Sequence, residues 1–169
     1  MADERVDVVD AEDRVVRQAG RAEVRAQNLL HRTVSILCCN PPGQIYVQRR
    51  TRTKDLFPGL YDMFVGGVVG AGESYDEAAV REIGEELGIH GPEPEYLFHY
   101  CYEGPETRNH TAAYRVVWDG PIVHQASEVD WGRYCELQEI VDNAEGWEFT
   151  PDNAAVFEHY LRHVHRPGR

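Results

Sequence analysis

At 169 residues, 42% of them hydrophobic and 27% charged, the chain has the length and composition of one globular domain with a sizeable core. Its formal net charge of -12 argues against a nucleic-acid polymer as partner, and no apolar run approaches membrane-spanning length. The acidic opening MADERVDVVDAEDR is unlike a signal or transit peptide, so a cytoplasmic location is expected.

In chain order, Arg5 to Val9 and Arg14 to Gln18 alternate apolar and polar residues about Asp10-Ala11-Glu12-Asp13, the pattern of a hairpin. Residues 1–28 therefore read as an N-terminal extension packed on a single domain that spans 1–169, with a connecting stretch running through Asn28. Thr33 to Cys39 is a strand closed by the turn signal Asn40-Pro41-Pro42-Gly43, and Ile45 to Gln48 returns as its antiparallel partner. Next, Arg49-Arg50-Thr51-Arg52-Thr53-Lys54 sets four cations within six residues of an acidic chain. Arg forks match phosphate oxygens and Lys supplies a point charge, so Arg49, Arg50 and Lys54 are candidates to meet a substrate phosphate; a solvated loop is the alternative. Tyr46, Phe57, Tyr61 and Phe64 are core or loop anchors, or a stacking surface.

The stretch Gly67 to Ile89 organises the rest. Ser74 followed three residues later by Glu77 is a capping box, and Gly88 is a left-handed stop, which predicts a helix over Tyr75 to Leu87. Ala79, Ile83 and Leu87 form an apolar stripe, while Glu82, Glu85 and Glu86 share another face. Like charges at that spacing cost roughly 0.2–0.5 kcal/mol per pair, and acids near a helix C-terminus oppose its dipole. A hard divalent cation removes the conflict, and the glycine-rich run from Gly66 lets the backbone approach and offer a carbonyl to the same ion.

Beyond Gly91-Pro92-Glu93-Pro94 come strands at Tyr96 to Tyr102, Thr111 to Trp118 and Val129 to Cys135, then a short helix at Leu137 to Asp142. Thr150-Pro151 opens a final helix whose stripe is Ala154, Phe157, Leu161 and Val164. Cys38, Cys39, Cys101 and Cys135 contain no CxxC pair and read as inert, buried thiols. His159 and His163 lie one turn apart and read as solvent-facing rather than as metal ligands.

The positions Gly67, Glu73 and Arg81-Glu82-Ile83-Gly84-Glu85-Glu86-Leu87-Gly88-Ile89 resemble the Nudix box of the pyrophosphohydrolase superfamily at every defining position. The likeness extends more loosely from Leu29 to Leu137, through QRR, FPGLYD and the following GG. The resemblance implies an α+β fold, an α/β/α sandwich around a mixed sheet, in a monomer or homodimer. It also implies hydrolysis of a diphosphate linkage, in a nucleoside diphosphate joined to another group. In that family Glu82, Glu85 and Glu86 would ligate Mg2+ or Mn2+, with Gly66 adding its carbonyl. Arg81 would orient the glutamates, and Glu73 with Gly67 would support the loop and helix start. Resemblance to hydrolases with a glutamate ahead of a late strand points to Glu128 as the base that activates water.

Within the family, Leu29-Leu30-His31-Arg32 and the long extension are most similar to the branch that includes type I isopentenyl-diphosphate isomerase. That enzyme needs a Cys-Gly-His-Pro stretch where this chain has Gly66 and Val68, and a later Glu-x-Glu for which Glu93 and Glu95 come too early. Isomerase chemistry is therefore not expected, and His31 reads as structural or substrate-facing. A ligand-sensing module without catalysis is the remaining alternative, because function resides in the site rather than the fold.

Overall fold

Alternating small and branched apolar residues carry the strand His31–Cys39 through the interior, buried over its last four positions. It is β3 of the computed structural model, which describes residues 3–143 and 145–165. Around it lie β1 (Arg5–Val9), β2 (Val15–Gly20), β4 (Ile45–Arg50), β5 (Tyr61–Asp62), β6 (Val65–Val68), β7 (Glu95–Glu103), β8 (Arg108–Val117) and β9 (Val129–Cys135). The helices are α1 (Arg21–Ala26), α2 (Tyr75–Leu87), α3 (Leu137–Asp142) and α4 (Pro151–His163). β3 pairs parallel with β8, from His31 opposite Asn109 to Cys39 opposite Val117, and antiparallel with β6. All other named pairings are antiparallel, so the sheet is mixed, as expected.

Helices cover both faces of that sheet. Val34, Ile36 and Cys38 point one way, onto Ala79, Ile83 and Leu87 of α2. Leu37 and Cys39 point the other way, toward Phe64 and the α4 residues Val156 and Phe157. Each such buried side chain contributes about 1.5–3 kcal/mol. A third, smaller cluster joins Val6, Val8 and Ala19 of the N-terminal hairpin to Val24 of α1. Among the described residues no helix is long and apolar enough to cross a membrane.

Several expectations change. β4 touches β3 only at Ile45 opposite Cys39 and takes β9 as its long partner. The reason is that both edges of β3 are taken, one by β8 and the other by β6. The stretch before Asn28 contains the six-residue α1, too short to show a helical period. On α4 the buried side is Val156 and Phe157, while Ala154 is exposed. Asn153 sets that rotation: its Oδ1 accepts from the Met63 and Phe64 amides and its Nδ2 donates to the Phe64 carbonyl. Cys101 is exposed on β7, unlike the three other cysteines. His159 is half-buried, its ring 4.7 Å from that of Phe98 and 5.2 Å from that of Tyr100. Tyr46 and Phe64 are core residues, and Tyr61 stacks on Trp147.

Candidate active site

Helix α2 begins and ends as its local sequence dictates. The Ser74 hydroxyl accepts from the Glu77 amide at 3.2 Å, the Glu77 carboxylate accepts from the Ser74 amide at 2.9 Å, and Gly88 takes the left-handed conformation at φ 66°. This phase buries Ala78, Ala79, Glu82, Ile83, Glu86 and Leu87 together. The three box glutamates are thus not one solvated face. Glu82 and Glu86 are buried alongside the apolar stripe, whereas the Glu85 side chain stays 52% exposed.

Arg81 ties these acids to the loop before the helix. Its Nε and Nη2 donate to the two Glu73 oxygens at 2.8 and 2.9 Å, and Nη2 also donates to the Val68 carbonyl. Nη1 reaches Glu82 at 2.7 Å and Glu85 at 3.3 Å. Glu73 in turn accepts from the Gly70 amide at 2.8 Å, so loop, helix and carboxylates form one bonded unit. Two glycines let β6 run beneath it. A Cβ on Gly66 would stand 2.0 Å from the Val34 carbonyl oxygen, and one on Gly67 would stand 2.5 Å from Glu82 Oε1.

Behind this unit the acids are deeply placed. Burial pushes the Glu86 carboxyl up to about 8 although Gln48 Nε2 donates to it at 2.8 Å, and burial raises Glu82 despite Arg81. Asp62 on β5 is raised to about 6 by burial, against the pull of Arg50 and of the Thr150 hydroxyl, which donates to it at 2.6 Å. Gln48 and Asp62 carry no site expectation from sequence, and Thr150 is expected only to open α4, where its hydroxyl makes no cap bond and turns to Asp62 instead. Gln48 and Asp62 lie in the QRR and FPGLYD strings, but tertiary contact with α2 and α4 is needed to read their role.

All three box glutamates open onto a cleft of about 460 Å3 that also contains Gly66, Gly67, Arg50, Lys54 and Glu128. Glu128, just ahead of β9, is bonded to Lys54 across the cleft wall. Arg49 does not line the cleft. Neighbouring strand residues face opposite sides, and Arg49 instead pairs with Asp130 at 2.7 Å. Phe57 lines the cleft with its backbone in the left-handed region at φ 51°, a conformation a bulky residue holds only under constraint from its surroundings.

A hard divalent cation fits this donor set. The cleft wall carries eight carboxyl groups against five cationic side chains, so an anionic ligand needs added positive charge to enter. The strain of the buried Glu86 carboxyl, pushed up to about 8, is likewise relieved by a cation, and Gln48 Oε1 beside it is buried without a hydrogen-bond partner among the described residues. In the present rotamers no three candidate ligands among the described residues stand close enough to chelate one ion. Arg81 Nη1 holds Glu82 and Glu85, and Gln48 holds Glu86.

Comparison with known proteins gives a consistent likeness. A sequence model of the family described as NUDIX domain matches residues 29–159. An uncharacterized Nudix hydrolase of Streptomyces coelicolor is 47% identical over 158 residues, covering 92% of this chain and 87% of that one. The Escherichia coli Nudix hydrolase YfcD, also uncharacterized, is 42% identical over 157 residues, covering 93% and 86%. The crystal structure of DR0079 from Deinococcus radiodurans superposes with a TM-score of 0.77 at 27% identity, over 92% of this chain and 98% of that one. The NUDIX domain of Shewanella oneidensis NrtR, solved with ADP ribose, shares the fold at a TM-score of 0.63 and 17% identity, over 87% of this chain and 100% of that one.

Proposed function

The chain belongs to the NUDIX domain family, and on that premise we propose that it is a divalent-metal-dependent hydrolase of a diphosphate linkage, its substrate a nucleoside diphosphate joined to another group. The observation that carries this reading is the carboxylate set gathered on α2 by Arg81, half buried in a cleft with more acids than bases. Glu82, Glu85 and Glu86, with the Gly66 carbonyl, would hold Mg2+ or Mn2+, which when bound supplies positive charge to phosphoryl oxygens and acidifies a water.

The chain's own groups have distinct tasks. Arg81 is a positioning residue: its two bonds to Glu73 fix the guanidinium, and the remaining nitrogen sets Glu82 and Glu85. Glu128 accepts the proton of the attacking water as the new oxygen–phosphorus bond forms and the anhydride oxygen departs with its phosphate. It suits this task because it lies in the cleft outside the ligand set. Lys54 holds Glu128 in place and, with Arg50, offers positive charge to the substrate phosphates. The complete carboxylate set supports catalysis over a purely ligand-sensing role.

Purified protein with Mg2+ or Mn2+ is expected to release phosphate-containing products from a panel of nucleotide and non-nucleotide diphosphates. Glu85→Gln should lower turnover by at least about 100-fold, the loss typical of a catalytic electrostatic group. Undiminished turnover in that variant, or in excess EDTA, overturns the proposal.

A further inference from the structure

One part of the cleft is polar where a sandwich interior is ordinarily apolar. By strand alternation His31, Thr33 and Ser35 of β3 share the face that continues into Leu37 and Cys39, and Asn109 and Thr111 of β8 share the face that continues into Ala113. Ser35 and Thr111 satisfy each other, hydroxyl to hydroxyl at 3.0 Å. Their neighbours do not. Asn109 is 2% exposed, and its carboxamide makes no hydrogen bond among the described residues although it lines the cleft. His31, its register partner, is 8% exposed and uses only Nδ1, which donates to the Leu29 carbonyl at 2.9 Å.

Because a carbonyl can only accept, the His31 hydrogen sits on Nδ1 and Nε2 presents a lone pair. Burial holds the ring below its ordinary range against the opposing bond to the Leu29 carbonyl, with the charges of Arg21 and Arg25 adding to the lowering. These polar atoms face the cleft rather than the packed interior, where a hydrogen-bonding ligand can pair with them.

Over this floor stands a wall that precedes the span matched by the family. Arg21 and Arg25, one turn apart on α1, both line the cleft. Each is held only by an exposed acid: Arg21 by Glu4, whose side chain is 45% exposed, and Arg25 by Asp55, 76% exposed. Such surface pairs contribute little to stability, so both guanidinia exchange a carboxylate for a ligand's anion at small cost. Apart from the His31 imidazole the floor has no aromatic ring; Phe57 lines the cleft elsewhere, and Phe64 is buried with Phe157 and Tyr160 set edge-on to it. Hydrogen bonds are therefore the main contacts this floor offers a ligand. A hydroxyl, donor and acceptor at once, suits both a neutral imidazole nitrogen and a carboxamide.

We propose that this region is a specificity subsite for the substrate group beyond the diphosphate, a hydroxylated moiety carrying its own phosphate, with His31 and Asn109 on the hydroxyls and Arg21 and Arg25 on the phosphate. The link to a diphosphate substrate rests on the hydrolase reading; the subsite itself is tested without turnover. Metal-free protein is titrated calorimetrically with ribose 5-phosphate, with ribose and with ethyl phosphate, binding being checked by ligand-observed NMR. Ribose 5-phosphate is expected to bind at least about tenfold tighter than either fragment, and Asn109→Ala and the double variant Arg21→Ala/Arg25→Ala each to weaken it at least about tenfold. Ethyl phosphate binding as tightly as ribose 5-phosphate removes the hydroxyl contacts, and a double variant that binds like wild type removes the phosphate contacts; either overturns the subsite. The arginines are partly exposed and paired only with exposed acids, so the double variant is expected to stay folded, checked by its melting curve, and the test stands even where Asn109→Ala unfolds. Wild-type turnover of the panel of nucleotide and non-nucleotide diphosphates with Mg2+ is measured separately. Its absence sinks the hydrolase reading alone, whereas turnover without selective ribose 5-phosphate binding sinks the subsite alone.

Discussion

Burial pushes the Glu86 carboxyl up to about 8 from an ordinary 4.5, so between those pH values the folded, metal-free protein keeps a proton that the unfolded chain releases. Stability must then fall as pH rises through that window and level off above about 8. Glu86→Gln keeps an acceptor for Gln48 and removes the titration. It is expected to stabilise the metal-free protein by a few kcal/mol above pH 8 and by little below pH 4.5, on the order that several pKa units imply. Urea melts in EDTA at pH 4.5, 7 and 9 measure this, and a gain that does not grow with pH contradicts it. Glu128 supplies a second residue-scale expectation. It touches Lys54 rather than the box, so Glu128→Gln should lower kcat by about 100-fold or more while metal affinity stays near wild type. A variant with wild-type kcat from pH 6 to 9 returns the search for the base to the box.

Among elements, β6 and α2 are built around one another, and two adjacent glycines show how. A Cβ on Gly66 meets backbone, the Val34 carbonyl at 2.0 Å, so Gly66→Ala must displace β6 from β3 and is expected to cost at least ~2 kcal/mol. On Gly67 the atoms met are the far end of the Glu82 side chain, at 2.5 to 2.9 Å. That carboxylate moves more easily than a strand does. Gly67→Ala is therefore expected to leave the unfolding midpoint nearly unchanged while turnover drops about 100-fold, the cost of misplacing a catalytic group by about 1 Å. Paired denaturation and kinetic measurements separate the two, and equal losses of stability would refute the distinction.

For the whole molecule, the sandwich sets where chemistry happens and the site residues set which chemistry. Gly66 and Val68 occupy the β6 positions at which the isomerase branch carries its cysteine and histidine, and neither side chain can move a proton or hold the metal that the histidine binds there. Incubation with isopentenyl diphosphate, Mg2+ and Zn2+ is expected to give no dimethylallyl diphosphate by chromatography; measurable isomer would reverse the assignment. The hairpin and α1 extend the argument beyond the family's matched span, because their cluster of Val6, Val8, Ala19 and Val24 seats Arg21 and Arg25 at the cleft.

The sequence by itself determined α2 to the residue, because a capping box and a left-handed glycine act through backbone bonds spanning three or four positions. The bounds of β9 and α3 were legible for similar local reasons, as was the acid-rich character of the site. Only the tertiary structure decided that β4 pairs with β9, that Arg49 faces away from the cleft while Arg50 faces into it, and that Glu82 and Glu86 are buried while Glu85 is not. Those outcomes depend on partners far apart in the chain: Gln48 and Glu86 are separated by 38 positions, and Lys54 and Glu128 by 74. Periodicity along a strand or helix says which side chains share a face, but the solvent, partner and protonation of each one are set by what folds against that face.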